Sequence, residues 1–207
     1  MNVADRKQAT VMEIGWIITA TIFMLLASGL ILSPEVNETN VLTALQVSSL
    51  TTALPFLMLF VAKPLGLLRK DIKQWVHTSH RPLWLILTIS HLIHLYQILL
   101  FYQQGQSCPL LIWLITSPLW FIMVFFSFIE FAQPEVAIAF FQNQSRGVWR
   151  ILYSAGIWYT WLVFSIAFGL GSITKHLVFY NVPAFICFLS GAATYGIVWI
   201  KTKSHQM

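Results

Sequence analysis

Six long apolar blocks, separated by short polar stretches, divide the chain at about residues 12–32, 41–62, 82–103, 109–131, 149–171 and 178–200. A helix needs about 20 such residues, at about 1.5 Å each, to cross the hydrocarbon of a bilayer. Each block is therefore read as a transmembrane helix, and the fold as an all-α integral membrane protein, a six-transmembrane-helix bundle in a single domain. The first block, EIGWIITATIFMLLASGLIL, has the basic start of a signal peptide. It is too long for such a core and lacks a small-x-small cleavage site. Block two closes at Lys63-Pro64, where proline discourages a continuing helix. Residues 63–81 then read as a basic loop, with Pro82 at a first helical position. Between blocks four and five, VAIAFF reads as a short apolar run at the membrane interface.

Composition sharpens this picture. Residues are 57% hydrophobic and 9% charged, with a mean hydropathy of +0.74, where soluble domains carry about 25% charge. No polar stretch is long enough to fold as a water-soluble catalytic domain. The net charge of +5 invites a nucleic-acid reading, which fails because the cations sit in loops between apolar blocks. With six crossings, Arg6, Lys7, Lys63, Arg69, Lys70, Lys73, Arg81, Arg146, Arg150, Lys201 and Lys203 collect on one side and Lys175 alone on the other. That asymmetry predicts cytoplasmic termini. Trp16, Trp75, Trp84, Trp149 and Trp199 fall near expected interfaces, as an aromatic belt would. Cys108 and Cys187 read as small packing residues rather than a disulfide. Gly191, Ala192 and Gly196 suggest close packing of the last helix.

The candidate chemistry lies in HTSHRPLWLILTISHLIHLYQILLFY, residues 77–102, which holds four of the six histidines. An ionisable side chain inside a membrane helix is expensive, and a functional role is its default reading. His80 and His94 are fourteen residues apart, so on a helix they differ by roughly 40° and share a face, about 21 Å apart in rise. His91 lies roughly 60° from His94. Neutral imidazole is a common axial ligand of haem iron, so two sites at these depths suit two haems stacked across a bilayer.

At this point the chain resembles the ferric-reductase-like transmembrane domain superfamily, which includes NADPH oxidase cores and the haem-binding membrane subunit of bacterial methionine sulfoxide reductase. The resemblance rests on Lys63-Pro64-Leu65 before a basic loop, on Arg81, on His94 deep in the next helix, and on His80 fourteen residues earlier. It implies a haem b electron-transfer subunit in a bacterial inner membrane, served by a separate redox or membrane protein partner. The chain departs from the pattern in its fifth helix. Trp149 and Leu152 are in place, but Tyr153 stands where the first opposing histidine belongs, and the block holds no histidine at all. Tyrosine can ligate haem iron, so Tyr153 joins His94, His91 and His80 as a candidate cofactor-binding residue. His176, just past the block, is an improvised alternative.

Blander readings accompany each residue. His77 and His80 border the basic loop as solvated side chains, and His91 and His94 hydrogen-bond a neighbouring helix. Tyr153 packs, and Glu130 is solvated at the end of block four. Three functions compete: a haem b electron-transfer subunit, a haem-free relative serving as scaffold or assembly partner, and a small transporter or proton path. The last lacks an acidic partner at membrane depth on the sequence alone.

Overall fold

The computed structural model describes residues 3–107, 109–141, 144–173 and 178–204. Lys175, His176 and Cys108 lie outside the described residues. The described chain is helical throughout: α1 Val3–Leu32, α2 Glu38–Leu65, α3 Lys70–Gln103, α4 Leu110–Ala132, α5 Pro134–Phe141, α6 Gly147–Ile173 and α7 Val178–Ser204. Among the described residues, all but α5 are long and apolar enough to cross a membrane, six in all. The protein is a multi-pass, all-α integral membrane protein.

The helix starts follow local chemistry. Asn37 caps α2, its Oδ1 accepting from the Asn40 amide at 2.9 Å, with Glu38 in the first turn. Gly105, with φ of 78°, closes α3 in the left-handed region that glycine enters without penalty.

Two boundaries differ from expectation. Pro64 does not end α2, which runs through it to Leu65, because a proline in a last turn forfeits only one backbone bond. The basic loop shrinks to residues 66–69, and α3 begins at Lys70, passing through Pro82 as an interior residue. The turn is tight: Gly66 N and Arg69 N donate to the Ala62 and Leu65 carbonyls at 2.9 and 3.0 Å. A Cβ on Gly66 would meet the Lys73 backbone at 3.3 Å, so this hairpin uses the glycine for its close approach.

The chain divides into two compact units, one of Met1–Phe56 and Arg81–Leu110, the other of Leu57–His80 and Leu111–Met207. The first holds α1 and parts of α2 and α3. Its buried residues are unusually polar for a membrane protein: Ser48, Thr52, Ser90, His91 and Gln97 beside Val41, Phe56 and Leu87. The second is aromatic. Phe188 of α7 stacks on Phe164 and Phe168 of α6 at 5.6 and 5.7 Å, and Trp161 Nε1 donates to the Phe188 carbonyl at 2.8 Å. Tyr159 of α6 donates to the Ile115 carbonyl of α4 at 2.6 Å. Gly191 is a close-packing site, since a Cβ there would meet Phe60 at 3.1 Å, whereas Gly196 faces open space. Trp84 is a core residue, 1% exposed, rather than part of a belt, while Trp16 and Trp199 are exposed. VAIAFF forms most of α5, and it buries Ala137, Phe140 and Phe141.

Candidate functional site

Two polar constellations emerge, one in each unit. In the second unit α3 presents His80 to α4, where Glu130 waits. Neither is solvated, contrary to expectation: His80 is 4% exposed and Glu130 fully buried. His80 Nε2 lies 3.4 Å from Glu130 Oε2, an ion-pair separation whose angle falls short of a hydrogen bond. On its other side Nδ1 faces the Val76 and His77 carbonyls at 3.0 and 3.1 Å. A carbonyl only accepts, so Nδ1 carries a proton, and Nε2 is the atom that faces the carboxyl. The pair therefore has two neutral arrangements, imidazolium with carboxylate or imidazole with carboxylic acid.

Aromatic rings seal this pair. Phe141 of α5 packs on His80 at 5.2 Å. Tyr153 of α6 is 1% exposed, sandwiched between Phe126 at 4.2 Å and Phe140 at 4.7 Å. Its hydroxyl is buried with no hydrogen-bond partner among the described residues. Lys63 completes the setting: its ammonium donates to the Phe140 carbonyl at 2.7 Å and lies 3.5 Å from the centre of the Phe140 ring.

In the first unit the polar residues line one seam from α3 through α2 to α1. His94 Nδ1 lies 2.7 Å from Ser48 Oγ, which donates to Gln97 Oε1 at 2.6 Å. Gln97 Nε2 donates onward to Ser28 of α1 at 2.9 Å. Thr51 and Thr52 both meet Ser90 Oγ, at 2.9 and 2.8 Å. Ser48 has one proton, and with that proton on Gln97 the His94 ring must donate through Nδ1. His94 Nε2 then holds a lone pair. The His91 ring stacks beside it, 5.9 Å away and 15° from parallel.

The four candidate cofactor-binding residues fall in two places. His91 and His94 share the seam of the first unit, and His80 and Tyr153 share the sealed pocket of the second. The residues do not fit a bis-histidyl haem. His80 Nε2 faces a carboxyl group rather than presenting a lone pair to iron, and α6 offers no histidine. A cavity of about 480 Å³ in the first unit is lined by Ser28, Ile89, Ile93, Tyr96 and Gln97 among others, without His94 or His91. Among the described residues no group of three or more His, Cys, Asp or Glu converges as a metal site.

Ser48 and Gln97 carry no local sequence signal, while Lys63 enters the sequence reading only in the Lys63-Pro64-Leu65 run and among the loop cations, and Glu130 only as a solvated carboxyl. Glu130 had a readable signal: with Leu119, Met123 and Phe126 it falls at spacings of four, three and four, the stripe that α4 buries. Comparisons with family models, with curated proteins and with solved structures return no match.

Proposed function

We propose that this chain is a proton-binding membrane protein, a proton path or small transporter, whose exchangeable proton resides on the His80–Glu130 pair. The observation that carries this reading is a fully buried carboxyl group facing a buried imidazole at 3.4 Å. It gives His80, rather than His91 or His94, a buried acidic partner. A buried pair is often no better for stability than an apolar packing of equal volume, so stability alone gives little reason for it. A proton held between two groups of shifting charge is a use such a pair serves, and intramembrane carboxyl and histidine residues recur in proton relays. On this reading both termini face the cytoplasm of a bacterial inner membrane, as the eleven-to-one cation count supports.

The test is proton movement into sealed vesicles holding the purified protein, followed with a trapped pH-sensitive dye under an imposed gradient. Wild-type protein should dissipate the gradient at least tenfold faster than Glu130→Gln, which keeps the shape of the side chain and loses its titration. Infrared difference spectra on a pH change should show a carboxylic-acid band that Glu130→Gln removes. Wild-type vesicles no leakier than empty ones, with no such band, would reduce the pair to a packing element and leave the scaffold reading.

A second reading, a haem b electron-transfer subunit with a separate redox partner, draws on the resemblance to ferric-reductase-like domains. It is favoured by one feature, the Ser48 contact that leaves His94 Nε2 with a lone pair. His94 would be the sole histidine ligand. Purified protein from haem-replete cells would then show a Soret band that His94→Ala abolishes, and colourless protein rejects it.

A further inference from the structure

The His80–Glu130 pair has no visible way to exchange its proton. Glu130 is fully buried, and His80 and Tyr153 are 4% and 1% exposed. His80 and Tyr153 are packed over by α5, an eight-residue helix at Pro134–Phe141, through Phe141 and Phe140. A helix this short is marginal by itself, because nucleation costs more than two turns return. Its position depends on what holds it down.

Two groups of contacts do so. Phe140 and Phe141 are 2% and 3% exposed, the first stacked on Tyr153 and the second on His80. The Lys63 ammonium, reaching from the end of α2, takes the Phe140 carbonyl at 2.7 Å. That carbonyl belongs to the last turn of α5, where backbone oxygens lack helical partners and the helix dipole is negative. A cation there is bound by charge as well as by hydrogen bonding. Few helices place a buried lysine, 9% exposed, on a carbonyl of a neighbouring short helix. Lys63 sits against Phe140, and Arg150 is near enough to Lys63 to repel it.

We propose that α5 is the gate over the His80–Glu130 pair and that the Lys63–Phe140 carbonyl contact is its latch. With the latch closed, Phe140 and Phe141 exclude water from the carboxyl. With it released, α5 lifts as a unit and opens the pair to the aqueous side. The proposal rests on the proton-binding reading for its purpose, but the access it describes is measured without any flux.

The experiment is chemical labelling of Glu130 by a water-soluble carbodiimide and an amine, in the full chain reconstituted in vesicles, quantified by mass spectrometry. Hydrogen exchange of the α5, α4 and α6 amides is measured on the same samples. Lys63→Met keeps most of the apolar stem and removes the cation. It should raise the labelling rate at least tenfold and quicken exchange in α5 while leaving α4 and α6 unchanged. Phe141→Ala, which uncovers His80 and leaves the Lys63 side chain in place, should also raise labelling. Faster α5 exchange with unchanged labelling in both variants would overturn the gate. So would labelling that rises only together with exchange through α4 and α6, since that is general loosening. Raised labelling in a protein that moves no protons would leave the gate standing and remove the function proposed above.

Discussion

Gly156→Ala puts the smallest possible probe into the α4–α6 contact. A Cβ at Gly156 would stand 2.6 Å from two atoms of the Phe126 ring and 3.2 Å from Ile122. Ordinary carbon contacts begin near 3.5 Å, so the ring must retreat by about 1 Å. It has little room: Phe126 is 2% exposed and stacked on Tyr153 at 4.2 Å, which is itself stacked on Phe140 at 4.7 Å. The displacement is passed along three rings or absorbed by the backbone. Overpacking of this kind costs about 1–3 kcal/mol. The opposing effect is helix propensity, where alanine gains up to about 1 kcal/mol over glycine. The net expectation is a loss of about 1–2 kcal/mol, a five- to thirtyfold rise in the unfolded fraction. Equilibrium unfolding of the purified protein in detergent micelles reads this directly. Phe126→Leu combined with Gly156→Ala should recover much of the loss, giving a coupling energy of opposite sign to the single effect. A Gly156→Ala protein more stable than wild type, with no coupling to Phe126, would refute the claimed helix approach.

Gln97→Leu should cost about 1–3 kcal/mol, since two interhelical bonds of roughly 0.6–1.7 kcal/mol are lost. Ser48 can return its proton to the Leu45 carbonyl at 3.0 Å, which keeps the loss from being larger. Stability at or above wild type in the same unfolding assay would mean the Ser48–Gln97–Ser28 chain holds nothing. For topology, a reporter fused after Met207 should be active only in its cytoplasmic form, and activity of a periplasmic reporter there would reject the orientation.

Six membrane helices could be read from the sequence because each exceeds the apolar length a bilayer demands, and length survives errors of a few residues at the ends. The interior of α3 was harder. Pro82 looked like a start because proline suits a first turn, yet Lys70 to His80 carry enough helix-compatible residues to extend the helix outward past it. α3 is about 50 Å long at 1.5 Å per residue, well beyond the hydrocarbon thickness. Its polar first third is helix without being apolar, which hydropathy cannot reveal. The site was legible in half. A hydrogen bond from His94 to a neighbouring helix is one of the expectations, and His94 meets Ser48 of α2. Glu130 was misplaced because a carboxyl near a helix end usually finds water. The buried stripe of α4 points Glu130 inward, but its partner His80 lies fifty residues earlier on α3, and that pairing is tertiary information.

α1 stands apart from its neighbours in one respect. Within its apolar stretch, Glu13–Leu32, Met24 is the one residue buried among those described, although the hydropathy of the stretch equals the highest of the six. Ile18, Ile22 and Leu26 are each more than half exposed. Such a helix is held in place by its solvent far more than by its neighbours. Successive crossings alternate in direction, so the sense in which α1 spans the bilayer is tied to that of each later helix. Exchange among apolar residues along it should be nearly silent, whereas one aspartate at its centre would cost about 2.5–3.5 kcal/mol of insertion. The constraint on α1 is on its greasiness rather than its shape, the reverse of the constraint on Gly156.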